Sequence, residues 1–281
     1  MNPQALNAKP GRLAYRLNSV LTLAIVLQWL AACSTVPITG RSQFTLINES
    51  QMISLAEDEY RKVLSDSQLA DDTAEAEMVR RVGERIAHAT DQFLRSNNMS
   101  DLADTFHWEF HLIRDDKTVN AWCMPGGKIA VYTGLLPIAR DDSGLAVVLG
   151  HEVAHAVARH GNERLSQGLV VQVGAEGVNQ ALANKSPATR ELARQAFGVG
   201  ANVGFMLPYS RKHESEADHI GLILMAMAGY DPREAITFWE RMAASGGGAT
   251  LEILSTHPLH ETRIQQIRMH LPEAMMYYRT K

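Results

Sequence analysis

The sequence predicts a mainly helical fold of the α+β class, in which a small β-sheet lies beside one central helix. Apolar residues recur at the three- and four-residue spacing of amphipathic helices through most of the chain, whereas an alternating pattern is confined to residues 106–136. The 281 residues are 46% hydrophobic and 21% charged, which is an ordinary globular composition. The chain therefore has the material for one large folded domain.

The charged residues argue against one class of partner. The chain has 27 Lys and Arg against 31 Asp and Glu, and so a formal net charge of −4. It has neither a basic tail nor a basic stripe interleaved with aromatic residues, the features by which many proteins hold nucleic acids. We therefore expect no nucleic-acid partner.

The first 32 residues are typical of a secretory signal. A basic segment (residues 9–16) precedes a short apolar run (residues 20–30), and small residues then lead to Cys33 in the sequence LAAC. This ending resembles a bacterial lipobox, which predicts that residues 1–32 are removed and that Cys33 becomes the lipidated first residue. The alternative is an uncleaved N-terminal anchor, but the apolar run is shorter than the ~20 residues that a membrane span needs.

The lipobox resemblance implies a location as well as a modification. Ser34 follows the cysteine where an aspartate would be associated with retention in the inner membrane, so the resemblance implies an outer-membrane lipoprotein that faces the periplasm. Only Cys123 remains after Cys33, which excludes an intramolecular disulfide once Cys33 is lipidated. We expect Cys123 to be a small buried residue, with a redox role as the alternative.

The mature chain is expected to begin with a tether, residues 33–49, followed by a single domain over residues 50–281. The tether contains helix-breaking Pro and Gly residues, whereas apolar residues recur at helical spacing beyond it, and this change sets the domain boundary. The pattern predicts a strand from Phe106 to Leu112 and a strand, Pro-Gly-Gly turn and strand within residues 117–136. Helices are predicted at 49–64, 73–94, 144–160, 189–206, 210–230, 231–244 and 258–271, with a flexible segment SGGGAT at 245–250.

The predicted helix at 144–160 carries the motif HEVAH. Its two histidines, His151 and His155, lie only ~40° apart on a helix that turns ~100° per residue, so both imidazoles can reach one ion. Glu152 points to the side. This HExxH arrangement is typical of zinc sites in which the histidines bind the metal and the glutamate serves as general base.

A catalytic zinc ion needs a third protein ligand. His160 is one residue out of register for the extended motif that would supply a third histidine, so we expect it to cap or line the helix end. The later segment HESEAD offers Glu214, Glu216 and Asp218 as candidates. Glu214 and Asp218 are four residues apart and share one helix face, whereas Glu216 points away.

Four motifs together resemble a known family. HEVAH, followed by ESEAD, with NAWCMPGG upstream and STHP downstream, is similar to the zincin-type gluzincin peptidases of the CAAX prenyl endopeptidase and Oma type, and the lipobox indicates their bacterial lipoprotein branch. The resemblance implies one zinc ion per chain, held by His151, His155 and Glu214. It implies further that Asp218 orients a zinc-bound histidine and that Glu152 takes a proton from the zinc-activated water.

The segment NAWCMPGG is expected to border the substrate. Exposed strand backbone there could pair with an extended polypeptide by strand addition. Asn120 is the candidate substrate-binding residue of this segment, and a turn-stabilising role is the alternative.

His257 and Arg263, in STHPLHETR, lie close to the zinc in the resembling family. His257 could stabilise the oxyanion that forms on the substrate carbonyl, or it could swing in as a fourth zinc ligand and latch the site. The glycine-rich segment before it favours the latch. A surface histidine that caps the last helix is the alternative. Arg263 is the second candidate substrate-binding residue, and the alternative is that it steadies the His257 loop or a carboxylate.

The expected function is therefore that of a zinc endopeptidase anchored at the outer membrane through Cys33. Family and location suggest misfolded or unassembled envelope proteins as substrates, and hence a role in protein quality control. An envelope chaperone or assembly factor with a latched or secondary peptidase activity is the main alternative. A purely structural lipoprotein is a third reading, and it requires that the chain hold no zinc.

Overall fold

The structure is a computed structural model that describes residues 33–199, 210–245, 252–257 and 262–279. The predicted signal segment, residues 1–32, lies outside the described residues, as do most of the glycine-rich segment and the end of the helix predicted at 189–206. Among the described helices, none is long and apolar enough to cross a membrane.

The described residues form a mainly helical fold with two small sheets, as the sequence predicts. The strands are β1 (Cys33–Thr35), β2 (Ser42–Phe44), β3 (Glu109–Ile113), β4 (Ala121–Met124) and β5 (Lys128–Tyr132). The helices are α1 (Glu49–Asp66), α2 (Ala74–Ser96), α3 (Ser100–Ala103), α4 (Leu136–Ala139), α5 (Asp142–Val157), α6 (His160–Asn184), α7 (Pro187–Ala196), α8 (Arg211–Met227), α9 (Glu234–Ser245), α10 (Glu252–Thr256) and α11 (Arg263–Tyr277).

The larger sheet has the strand order β3-β5-β4, in which β3 runs parallel to β5 and β4 runs antiparallel to it. The β4–β5 hairpin closes through Gly126 and Gly127, whose φ angles of 82° and 81° suit glycine. This Pro-Gly-Gly turn was predicted from the sequence. Strand β4 packs against α5, so the sheet lies beside the helix that carries HEVAH.

Helix α5 is the centre of the fold. It begins at a cap in which Asp141 accepts hydrogen bonds from the backbone N–H groups of Ser143 and Gly144. The helix is buried on nearly all sides, and its most extensive contact is with α8. A Cβ atom on Gly150 would lie 2.9 Å from the carbonyl oxygen of Gly221, so only glycine permits this approach. The close crossing brings the HEVAH face of α5 against the ESEAD face of α8.

Helix α2 supplies another wall of the core. Thr73 caps its first turn by accepting a hydrogen bond from Ala76 N. Val79, Val82 and Ile86 recur at helical spacing and are fully buried. The spacing of apolar residues in the sequence therefore predicted this helix.

Three local predictions differ from the structure. The helix predicted at 144–160 ends at Val157, because Arg159 adopts a left-handed conformation (φ 57°) and α6 starts anew at His160. The helix predicted at 189–206 ends at Ala196, because the chain turns at Phe197 and Gly198. The predicted tether is not irregular, since β1 and β2 pair antiparallel across a short turn.

Candidate active site

Four buried side chains from three elements meet at one point. His151 and His155 come from α5, Glu214 comes from the first turn of α8, and His257 directly follows α10. One ligand atom from each of the four lies within 4.8 Å of the others. The sequence predicted three of them as a ligand set and placed His257 close by.

The contacts inside this cluster fit a metal ion better than a set of hydrogen bonds. His151 Nε2 lies 3.1 Å from His155 Nε2 and 3.2 Å from His257 Nδ1. A neutral imidazole has only one N–H, so three ring nitrogens that face one another cannot all be satisfied by donating to each other. Imidazole nitrogens together with a carboxylate oxygen are the donor set that zinc prefers. The residues present therefore fit a zinc ion.

Asp218 and Arg263 support the cluster on the His151 side. His151 Nδ1 lies 2.9 Å from Asp218 Oδ1, which leaves Nε2 to face the cluster. Arg263 donates to both oxygens of Asp218, at 2.8 Å each, and its Nη1 lies 3.0 Å from Glu214 Oε2. The guanidinium also lies 3.4 Å above the ring of Trp239. One buried cation thus contacts two buried carboxylates.

His155 has a different neighbour on its outer side. Its Nδ1 lies 2.9 Å from His160 Nδ1, and His160 Nε2 lies 3.0 Å from Glu216 Oε2. His160 lines the end of α5, as one of the two expectations had it, because the break at Arg159 turns its buried ring inward against His155; the expected capping role is wrong. Glu216 points away from Glu214, as its position on the helix predicted.

Glu152 lies at the edge of the cluster. Its Oε1 is buried, accepts no hydrogen bond from the described residues, and lies 3.5 Å from His257 Nε2. Burial raises the pKa of Glu152, although His257 and His151 oppose the shift. A carboxylate with a raised pKa beside a metal site is suited to accept a proton.

The buried groups of the cluster have pKa values that are shifted in different directions. Burial holds the pKa of His155 well below its ordinary value, which keeps the ring neutral and able to bind a metal. Burial acts in the same direction on His151, but hydrogen bonds with Asp218 and Glu214 outweigh it and raise its pKa to about 9. Since burial alone would raise the pKa of Glu214, His257 and Arg263 are what hold it well below the usual range.

Asn120 and Arg263, both predicted to contact substrate, make internal contacts in the structure. The buried Asn120 amide donates to Glu252 Oε1 at 3.1 Å, and Ile253 N donates to Val119 O at 3.1 Å. These bonds tie the start of α10 to the chain just before β4. Arg263 is 1% exposed, and its guanidinium is occupied by the carboxylates of Asp218 and Glu214.

The expectation of exposed backbone in NAWCMPGG is wrong for the described state. All four residues of β4 are buried, because α5 packs against the strand and α10 is bonded to its leading end. Cys123 is buried as expected, and burial raises the pKa of its thiol well above the ordinary value, which disfavours redox chemistry. A small cleft borders His155 and is lined also by Cys123, Pro125 and Phe197.

Sequence reasoning missed one group of residues near the site. Arg41, from the turn between β1 and β2, forms ion pairs with Glu163 and Glu216 at 2.8 Å each. His213 lies 3.1 Å from Glu163 through its Nε2. No spacing in the sequence connects residue 41 with residues 163 and 216, so only the fold could bring them together.

Comparison with known proteins identifies the family. The model of peptidase family M48 matches residues 74–270. The mitochondrial metalloendopeptidase OMA1 of Schizosaccharomyces pombe is 39% identical over 246 residues, which cover 86% of this chain and 67% of that protein.

Two further relatives are more distant. The human metalloendopeptidase OMA1 is 31% identical over 90% of this chain, and the β-barrel assembly-enhancing protease of Escherichia coli is 28% identical over 84% of it. The chain spans about half the length of these two relatives, at 48% and 47%. By its match to the family model and its likeness to these proteins, the chain belongs to peptidase family M48, a family of metal-dependent endopeptidases.

Proposed function

We propose that the chain is a zinc endopeptidase in which His151, His155 and Glu214 bind one ion and Glu152 is the general base. The observation that carries this proposal is the convergence of four buried ligand atoms within 4.8 Å, directly beside a buried carboxylate that accepts no hydrogen bond from the described residues. The contacts of Asp218 and His160 with the outer nitrogens of the two α5 histidines support the same assignment.

The chain's own residues divide the work of peptide hydrolysis. When bound, zinc supplies polarisation of the scissile carbonyl and makes a water molecule more acidic. Glu152 accepts the proton of that water at its carboxylate and passes it to the leaving amine nitrogen. Asp218 holds the N–H of His151 at Nδ1, which keeps Nε2 turned to the cluster. Arg263 offsets part of the negative charge of the two carboxylates on that side.

We propose the latch, and not the oxyanion donor, as the role of His257. Its Nδ1 lies 2.9 Å from Glu214 Oε1 and 3.2 Å from His151 Nε2, so the ring stands among the ligand atoms. The hydrogen bonds of α10 with Asn120 and Val119 hold α10 and His257 in this place. These bonds lie next to β4, the strand that is expected from the sequence to pair with substrate. Opening this segment would free the metal site and the start of β4 together. This arrangement supports a resting state that is closed.

We propose that the protein is anchored through Cys33 to the outer membrane and faces the periplasm, in the bacterial lipoprotein branch of the family. The lipobox-like ending at Cys33 and the name of the E. coli relative support this location, whereas the OMA1 relatives are named as mitochondrial. A Cys33→Ser variant followed by membrane fractionation tests the anchor. We expect release into the soluble fraction or retention of the signal, and normal outer-membrane fractionation would contradict it.

The proposed substrates are misfolded or unassembled envelope proteins. The name of the E. coli relative, an assembly-enhancing protease, also favours the second candidate function, an assembly factor with a latched peptidase. Cells that carry Glu152→Gln separate the two roles. If envelope proteins fold and assemble normally in these cells, assembly is the primary role. If misassembled proteins accumulate uncleaved, proteolysis is the primary role.

The peptidase activity itself is tested with the purified chain and an unfolded, fluorescently labelled polypeptide. We expect cleavage inside the polypeptide that a chelator abolishes and stoichiometric Zn²⁺ restores, because the ligand set suits zinc. Cleavage that persists after complete metal removal would contradict the proposal.

A further inference from the structure

A polar network, buried except at Thr39 and Arg41, lies behind His155 on the side away from the metal cluster. We call it the Arg41 network. Its members are Thr39, Arg41, His160, Glu163, His213 and Glu216. They come from the β1–β2 turn, the first turn of α6 and the first turns of α8, so the network joins three segments that are distant in sequence. Nothing in the proposed reaction uses these residues directly.

The network ends on a metal ligand through a chain of two hydrogen bonds. The Glu216 carboxylate can only accept, so His160 Nε2 must donate to it across 3.0 Å. In neutral His160 the proton at Nε2 leaves Nδ1 as an acceptor. His155 Nδ1 therefore donates across the 2.9 Å to His160 Nδ1. This assigns the proton of His155 to Nδ1 and leaves the lone pair of Nε2 to face the cluster.

Arg41 fixes the other end of this chain. Its Nε donates to Glu216 Oε2 at 2.8 Å, while its Nη1 and Nη2 donate to the two oxygens of Glu163 at 3.1 and 2.8 Å. The Thr39 hydroxyl donates to the second oxygen of Glu216. One guanidinium thus clamps carboxylates from α6 and α8, and a planar fork of this kind sets position as well as charge.

A ring contact ties the two halves of the network together. His213 Nε2 lies 3.1 Å from Glu163 Oε2, and the His213 ring stacks on His160 with centroids 4.5 Å apart and planes 25° apart. His160 is therefore held by a hydrogen bond at each nitrogen and by a ring against its face. Such a side chain has little freedom to turn away from His155.

The segment that supplies Arg41 is itself a built turn. Gly40 N donates to Val36 O at 3.0 Å and Val36 N donates to Arg41 O at 2.8 Å, between the paired strands β1 and β2. Ile38 and Gly40 have φ angles of 68° and 65°, so the backbone reverses tightly here. The turn begins three residues after Cys33 and lies outside residues 74–270, which the family model matches.

We propose that the turn at residues 36–41 is a positioning element of the metal centre, which acts through Glu216 and His160 to hold His155 in its metal-binding tautomer. The inference rests on the proposed metal site. By this proposal, the turn next to the candidate lipidation site supports the active centre. Arg41 and Thr39 are positioning residues and not catalytic residues. The two α5 histidines then have separate supports, one from Asp218 and one from the N-terminal turn.

The test measures metal binding by the full chain, without substrate. Arg41→Met removes the clamp, His160→Phe removes the acceptor for His155, and Arg41→Lys restores the charge. Arg190→Met is the matched control, because Arg190 forms a 2.9 Å ion pair with the buried Glu59 and neither residue belongs to the network. Each variant is measured for Zn²⁺ affinity by chelator competition, for the visible spectrum of its Co²⁺ form, and for the Tm of the metal-free protein.

We expect Zn²⁺ affinity to fall about 10-fold in Arg41→Met and about 10- to 100-fold in His160→Phe, each with a changed Co²⁺ spectrum. Arg41→Lys should recover part of the affinity. Arg190→Met should lower the Tm and leave both metal readouts at wild-type values. Wild-type affinity and spectrum in Arg41→Met and His160→Phe would overturn the inference, as would a loss of affinity that Arg190→Met shares. Wild-type protein that binds Zn²⁺ but cleaves no polypeptide contradicts the proposed function alone.

Discussion

The two histidines of α5 are held by two regions of different construction. On one side, His151 meets Asp218 directly at 2.9 Å, and Arg263 closes the group as a buried cation. On the other side, His155 reaches a carboxylate only through His160, at 2.9 and 3.0 Å, and the cation is Arg41 from the N-terminal turn. Both regions end in an Arg–carboxylate pair. Their shared chemistry indicates that each ligand needs a fixed partner for its outer nitrogen.

The two supports differ in how much of them the sequence can predict. Glu214 and Asp218 are four residues apart on one helix, so spacing alone places them on the face that meets His151. The Arg41 network has no such spacing. It depends on the helix break at Arg159, which turns His160 inward, and on a short β1–β2 pair in a segment whose composition suggests an irregular tether. Both features are decided by long-range contacts.

The same distinction applies elsewhere in the molecule. The fold class, the Pro-Gly-Gly hairpin and helix α2 follow from local pattern and are confirmed. The contacts of Asn120 and Arg263 could not be derived in this way. Asn120 is bonded to Glu252, and Arg263 to Asp218, across more than a hundred and about forty residues of chain respectively. A polar residue near a motif can serve the fold as readily as the substrate.

The largest expected effect comes from removing a ligand shared by both regions. Glu214→Ala takes away the carboxylate that contacts His151, His155 and His257, so we expect loss of stoichiometric zinc and of all cleavage. Glu216→Ala, two residues away on the same helix, should keep zinc with weakened affinity. Metal analysis of the two purified variants checks this. Zinc retained in Glu214→Ala but lost from Glu216→Ala would reverse our assignment.

The direct support should matter more than the indirect one. Asp218→Ala removes the partner of His151 Nδ1 and leaves the Arg263 charge without one of its two carboxylates. We expect Zn²⁺ affinity to fall by about 100-fold, near the upper end of the effects seen for such partners and beyond that of Arg41→Met. Chelator competition measures both. If Arg41→Met loses more affinity than Asp218→Ala, the ranking of the two supports is wrong.

The proposed latch role of His257 predicts a gain of activity when this residue is replaced. His257→Ala removes the ring that stands among the ligands, so the open state becomes more populated. We expect cleavage of an unfolded polypeptide to rise by about 2- to 10-fold, since apparent activity scales with the competent fraction. His219→Ala is the matched control, a histidine paired with Glu273 outside the cluster. A fall in activity in His257→Ala alone would instead favour the oxyanion role.

The smallest effect concerns stability and its dependence on pH. Burial raises the pKa of Glu163, but His213 and Arg41 overcome this and lower it to about 2. A lowered pKa contributes stability above the unfolded value of ~4.3, and that stability is lost as the pH falls towards 2. Glu163→Gln should therefore destabilise the metal-free chain by about 1.5–3 kcal/mol at pH 7, with a smaller difference at pH 3.

Glu49 provides a control of opposite sign for that measurement. Burial raises the pKa of Glu49 despite the opposing charge of Arg159, so its ionisation in the folded chain costs stability as the pH rises. The stability of Glu49→Gln relative to wild type should therefore increase between pH 4 and pH 7. Urea unfolding at several pH values measures both variants. A Glu163→Gln difference that is constant from pH 7 to pH 3 would contradict the charge pairing of the Arg41 network.

The most direct test of the central claim is the zinc content and cleavage rate of Glu152→Gln. The substitution leaves His151, His155 and Glu214 in place and removes only the buried carboxylate beside them. Our account predicts stoichiometric zinc and a cleavage rate lowered by ~10²- to 10⁴-fold, because the general base is lost while the metal site remains. Cleavage near the wild-type rate by the zinc-loaded variant would contradict it.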